Sequence, residues 1–250
     1  MIRTVHRATA LATAALTILP AALTAQDLSL EEVLERHYES AGGPDEWEEV
    51  RSMRMSGRMI VGQDLEAPFT MLSKRPNKTR VEFTAQGMTG IQAFDGETAW
   101  MVMPFTGNSD PQRMPDAQAE AMRADADFDG LLVNWEQQGH TIELAGRDQI
   151  DDRDVYTLDV TLSNGEARRV HIDAESFMPI KITGSRTAQG MELEFETELG
   201  DYRPVGDLLI AHSVETRVVG APGSEAMLID SIELNVDVPD SVFEMPPPGM

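Results

Sequence analysis

The sequence predicts a mainly β protein of the α+β kind, built on one curved antiparallel sheet with a few helices over one side. Three observations carry this. From Val50 onward the apolar residues alternate with period two, in roughly a dozen short segments. Turn-forming residues separate most of these segments. Helical periodicity occurs only near the start and once in the middle, so there are too few crossover helices for a parallel sheet.

Residues 28–40 read as a helix. Leu30, Val33, Leu34 and Tyr38 fall at helical spacing, and Ala41-Gly42-Gly43-Pro44 ends the run. Strands follow near 50–61, 65–75, 78–85, 88–94 and 98–103. They are separated by Gly62-Gln63-Asp64, Pro76-Asn77, Gln86-Gly87 and Asp95-Gly96. Thr106 to Pro115 reads as a loop. Asp116 to Ala126 is helical in composition, and Phe128 to Gln138 extends it or forms a second short helix. Strands resume near 140–147, 153–162, 166–173, 178–188, 190–201, 207–219 and 226–236, with Asn164-Gly165 as a hairpin signal. A Pro-rich tail begins at Pro239. No internal repeat or long linker divides the chain, so residues 26–250 are expected to form a single domain.

Residues 1–25 stand apart. Arg3 and Arg7 precede an apolar run, Ala8 to Leu23, and Leu23-Thr24-Ala25 offers a small residue before Gln26. This is the layout of a secretory signal peptide, so export to the periplasm is expected, with no membrane span after cleavage. The leader holds two of the 20 basic residues and none of the 43 acidic ones, so the remaining chain stands at −25. Such a charge argues against nucleic acid and anionic membrane surfaces as partners. The chain has no cysteine, which excludes disulfides, thiol catalysis, thiolate metal sites and a lipid-modified N-terminal cysteine.

Few motifs suggest chemistry. Asp125, Asp127 and Asp129, with Gly130 and Glu136, match the EF-hand loop spacing. The strand-like His140-Thr141-Ile142 follows where an exit helix should stand, so the stretch reads as a capped turn and no metal site is assigned. His171, Asp173 and Glu175 share one face of a predicted strand, without metal-ligand spacing elsewhere. There is no GxSxG, GxGxxG or P-loop. Carboxylate pairs are too common in this acidic chain to signal acid–base catalysis. No catalytic residue, cofactor or metal is assigned, and no enzyme is expected.

The remaining signal lies in the apolar faces. In RSMRMSGRMIVG (51–62), Met53, Met55 and Met59 alternate with Arg54, Ser56 and Arg58. Phe69 and Met71 share a face on the next strand, then Val81 and Phe83; Met101 and Met103 alternate likewise, as do Leu193 and Phe195. Methionine is flexible and polarizable, suited to surfaces that adapt to variable apolar ligands. A sheet lined this way, under a helix carrying Met122, encloses either a ligand cavity or an ordinary self-filled core.

Five stretches favour the cavity. HYESAGGPDEWEEVRSMRMSGRM (37–59), AFDGETAWMVMPF (93–105), FDGLLVNWEQQGHTIELAGRD (128–148), RRVHIDAESFMPIKI (168–182) and DYRPVGDLLIAHSVE (201–215) resemble, in order and wording, the outer-membrane lipoprotein-sorting proteins of the LolA/LolB-like superfamily. The resemblance runs over most of the chain after the leader. It implies a half-open antiparallel barrel with a helical lid and a hydrophobic cavity for lipoprotein acyl chains or another lipid. An envelope protein is then a candidate donor or acceptor. It implies no catalytic residues. A lid-latching arginine of the family falls on no single position, because Arg51, Arg54 and Arg58 compete. The expected ligand-binding residues are Met53, Met55, Met59, Phe69, Met71, Val81, Phe83, Met101, Met103, Met122, Leu193 and Phe195. The rival expectation is an envelope sensor on the same fold that binds a protein partner.

Overall fold

A computed structural model describes residues 28–62, 65–188 and 191–247. The leader, residues 1–25, lies outside them, as do residues 248–250 of the tail.

The chain opens on α1 (Leu30–Ala41). Ser29 caps it: its hydroxyl accepts from the Glu32 N–H, and the Glu32 carboxylate accepts from the Ser29 N–H, satisfying two donors that a helix start leaves unpaired. Gly42 ends it in the left-handed region, at φ 110°. A β-carbon there would also sit 2.2 Å from the Asp207 carbonyl, so conformation and close approach both require glycine. Pro44, expected to be part of the stop, instead starts a second helix, α2 (Pro44–Glu49). Proline suits a first helical turn, where no N–H partner is needed.

Among the described residues, thirteen strands form one sheet that does not close. In chain order they are β1 (Ser52–Val61), β2 (Leu65–Lys74), β3 (Lys78–Ala85), β4 (Met88–Phe94), β5 (Ala99–Met103), β6 (Asn108–Arg113), β7 (Thr141–Ile150), β8 (Arg153–Thr161), β9 (Ala167–Asp173), β10 (Pro179–Ala188), β11 (Met191–Val205), β12 (Leu208–Val218) and β13 (Glu225–Leu234). Their order is β6-β5-β4-β3-β2-β1-β13-β12-β11-β10-β9-β8-β7. Two meanders are thus sewn together along the antiparallel β1–β13 pair. Strand β6 corrects the expected loop at 106–115. Its residues, NSDPQR, carry no apolar alternation because the strand is a polar edge containing Pro111.

This order decides the path of the lid. β6 and β7 are opposite edges of the sheet, yet they are joined by α3 (Asp116–Asp125) and the segment 126–140. That connection must cross one face. It does so in three steps. Met114, Ala119, Met122 and Ala126 pack on Phe94 and Ala99. Phe128 packs on Met53, Val50 and Leu208. Leu132 packs on Ile142, Tyr156 and Leu158, together with Val33 and Leu34 of α1. Residues 128–138, expected to be helical, run as successive turns instead.

The register assigns the faces. Met53, Met55, Gly57 and Met59 on β1 stand opposite Ser73, Met71, Phe69 and Ala67 on β2. Phe69 and Met71 stand opposite Phe83 and Val81 on β3. Paired residues share a face, so these form the inner face, beneath the crossing segment. Arg54 and Arg58 point outward, toward Glu233 at 3.7 Å and Glu66 at 3.1 Å. The arginine–methionine alternation of β1 therefore separates a watered face from an apolar one.

The C-terminal segment covers part of the outer face. Phe243 is fully buried with Trp100 and Ala93. The Trp100 indole donates to the Phe243 carbonyl at 2.7 Å, and Arg80 donates to the Val242 carbonyl. Lys74 and Lys78 each reach Asp240 at 2.7 Å and hold its carboxyl down to about 2.

Candidate functional site

The inner face is a trough with two unlike ends. One end is closed by α1, α2 and the crossing segment. The other lies where the hairpins β1–β2, β3–β4, β10–β11 and β12–β13 turn.

A buried polar knot ties the closed end. Arg75, just after β2, donates to the Val50 and Trp47 carbonyls at 2.7 and 3.0 Å, serving the carbonyls at the end of α2. Its Nη1 lies 2.5 Å from the Asp129 carboxylate, and its guanidinium stacks 4.6 Å from the centre of the Phe128 ring. Trp47 donates its indole N–H to Asp129 at 3.0 Å, and its ring lies 5.7 Å from Phe128. Farther along, Tyr38 donates to the Leu132 carbonyl at 2.7 Å. Sheet, helix α2 and lid thus meet at one ion pair, with both side chains largely buried. None of the three arginines expected to compete for a latch occupies this place.

The same contacts engage part of the EF-hand-like pattern. Asp129 is engaged by Arg75 and Trp47, and Asp127 accepts from the Asp129 N–H within the turn. Burial pushes the Asp127 carboxyl up, which disfavours a charged ligand there. Among the described residues no group of three or more potential ligands is placed to hold a metal.

Beside the knot, α1, α2 and β12 flank a half-open apolar cavity of about 210 Å³ lined by His37, Trp47, Met178, Tyr202, Leu208 and Ile210, among others. Burial lowers the His37 pKa, although its Nδ1 lies 2.9 Å from the Phe177 carbonyl. Tyr202 donates to the Pro179 carbonyl at 2.6 Å, and burial raises its pKa. None of the twelve expected ligand-binding residues lines this cavity.

Those twelve share the inner face and the lid above it, in three groups. Met53 and Phe69 are buried. Met101 and Met122 pack in the cluster beneath α3. Met55, Met59, Met71, Val81, Phe83, Met103, Leu193 and Phe195 remain half-buried. Two inner-face glycines allow close approaches, one of backbone and one of an aromatic ring. A β-carbon at Gly57 would come within 2.0 Å of the Leu228 carbonyl, at the bulge where β1 and β13 slip register. One at Gly90 would strike Phe83 at 2.5 Å, where that ring stacks on Phe105 at 5.8 Å.

Leu193 and Phe195 on β11 lie three strands from β1. The intervening surface was absent from the expected set. It consists of Met227, Ile229 and Ile232 on β13 and Ile210 and Val214 on β12. The alternation signal was present but broken, because Asp230 is the extra residue of the bulge and shifts the inward phase from odd to even positions.

Three solved structures share this architecture. A LolA superfamily protein from Nitrosomonas europaea superposes with TM-score 0.57 at 18% identity, covering 87% of this chain and 98% of its own. A domain assigned to the outer membrane lipoprotein-sorting proteins, from Vibrio parahaemolyticus, gives 0.58 at 13% identity, covering 85% and 94%. This is the LolA fold. A DUF1329 family protein from Desulfovibrio piger shares it with TM-score 0.62 at 11% identity, covering 86% of this chain and 97% of its own. No family model and no curated protein matches the sequence. In LolA-fold terms, the sheet is the open barrel and the crossing segment with α1 and α2 is the lid. Among the described residues, no helix is long and apolar enough to cross a membrane.

Proposed function

We propose that this chain is an exported, non-catalytic carrier that holds lipoprotein acyl chains, or those of another lipid, along the inner face of its sheet. Residues 1–25 are its cleaved leader, the remainder is one lipid-binding domain, and the periplasm is its place of work. The reading rests on one observation above all. From β11 to β5 the inner face is mostly apolar, broken by Thr197, Thr216, Glu225 and Gln92, yet away from the closed end Met59, Met71, Val81, Phe83, Met103, Leu193 and Phe195 stay partly exposed. A self-sufficient core buries such side chains, whereas a ligand-holding surface leaves them for the ligand to cover.

The mechanism is physical. Apolar burial is worth roughly 0.8 kcal/mol per CH₂, so part of one acyl chain supplies substantial affinity. Release requires a partner, or a lid movement, that favours another site. Met59→Glu and Met103→Glu place a carboxylate in the acyl path while leaving the closed end intact. Both variants are expected to fold and to lose uptake of a fluorescent acyl ligand. Wild-type uptake in both would sink the proposal.

A further inference from the structure

We propose that the open end of the trough is built for an acyl ligand with an anionic headgroup, and that Arg186 is the residue that receives it. The inference rests on the acyl-carrier reading above and adds the charge of the ligand.

Arg186 stands on the inner face. Its β10 position pairs with Leu193 on β11, and its guanidinium lies 5.9 Å from the centre of the Phe195 ring. Arg168 of β9 reaches the same ring at 5.1 Å. Gly184, between them, makes this possible: a β-carbon there would meet Arg168 Cδ at 2.7 Å and Phe195 Cζ at 3.2 Å. Two guanidiniums thus share one aromatic ring, in a chain of net charge −23.

The two arginines differ in what they have left to give. Arg168 is committed. It donates to the Ala167 and Ser185 carbonyls at 2.9 Å and pairs with Glu166 at 2.5 Å. Twelve described Lys and Arg side chains pair with a carboxylate. Arg186 is not among them, and among the described strand residues it is the unpaired guanidinium of the inner face. The nearest acids along β11, Glu192 and Glu194, alternate with Leu193 and point outward, and Glu192 accepts from Ser185. Glu225 shares the inner face but lies three strands away on β13.

Stacking uses the face of a guanidinium and leaves its N–H edge free for a planar, bidentate acceptor. Arg186 sits two residues before the end of β10, so a headgroup there stays hydrated at the mouth. The acyl chain then runs inward over Phe195 and Leu193 toward Val214, Met227 and Met59. Phosphate diesters and carboxylates share the required chemistry.

The test compares three fluorescent ligands with the same acyl chain: a phosphatidylglycerol, a free fatty acid and an uncharged acylglycerol, titrated into the delipidated mature protein. The anionic ligands are expected to bind about tenfold tighter than the neutral one, as a charge-assisted hydrogen-bonded pair gives. Arg186→Gln removes that preference without weakening the neutral ligand. Arg186→Lys restores part of it. Arg58→Gln, the same charge change on the outer face, leaves all three affinities unaltered. Tighter binding of phosphatidylglycerol than of the fatty acid identifies a phospholipid; the reverse identifies a carboxylate. Equal affinities in the wild type, or a preference that survives Arg186→Gln, overturns the headgroup assignment and leaves the acyl-carrier reading standing. Failure of all three ligands to bind overturns both.

Discussion

The two ends of the inner face use the same residue types for opposite purposes. At the closed end Met53 is 6% exposed, wedged among Val50, Phe128 and Leu208 and sealed by the Arg75–Asp129 pair. At the open end Met59 and Met103 lie on the same face of the same sheet and stay half-buried. The difference is not composition. It is whether another piece of this chain arrives to cover the side chain. Among the described residues, the crossing segment supplies Phe128 and Leu132 at one end and nothing comparable near the hairpin turns. Methionine is core where the lid lies over it and available surface where the lid does not.

The contrast can be broken most forcefully at the knot. Arg75→Ala leaves the largely buried Asp129 without its partner and removes the donors to the Trp47 and Val50 carbonyls. A loss of about 3 kcal/mol in unfolding free energy is expected by urea titration. A loss below about 1 kcal/mol would mean that the lid is not held there. The next effect compares the ends directly. Met53→Ala should cost about 2–3 kcal/mol, as truncation in a packed core does. Met103→Ala should cost less than about 1 kcal/mol, because its side chain stays partly exposed and sits in no packed cluster of the described residues. Equal costs would make the open end ordinary core.

A smaller effect belongs to pH. Burial lowers the folded pKa of His37 below its ordinary 6.5. Beneath that value the unfolded chain takes up a proton that the folded imidazole refuses. Stability contributed by neutral His37 is therefore complete above pH 6.5 and declines as pH falls from there toward the folded pKa. His37→Gln should flatten that part of the stability profile; an unchanged slope would place the proton elsewhere. The smallest effect is expected on the outer face. Arg58→Ala breaks a pair whose side chains are 48% and 55% exposed, and should change stability by less than about 0.5 kcal/mol.

Much of this was legible in the sequence. Alternation placed Met53, Met55 and Met59 on one face and Arg54 and Arg58 on the other, because a strand's side-chain period is two whatever its neighbours are. The helical spacing of Leu30, Val33, Leu34 and Tyr38 marked α1, which begins at Leu30. Other elements carried misleading signals. Pro44 looked like a stop and was a start, and β6 lacked the apolar pattern of a buried strand because it is an edge. The inward residues of β13 were hidden by a one-residue bulge that changes their phase. The latch was hidden for a different reason. Trp47 and Asp129 are 82 residues apart, and nothing local to either names the other or Arg75 as a partner.

The sequence by itself determined the class of the fold, the sidedness of its strands and the acidic character of its surface. These follow from backbone periodicity and charge count, which are properties of short stretches or of simple sums. Only the tertiary structure decided which strands are neighbours, that β1 meets β13, and that the chain must cross the inner face to pass from β6 to β7. From that crossing come the lid, the knot beneath it and the uncovered apolar end. Burial depends on what lies above a side chain, and in this fold the covering residues come from distant parts of the chain.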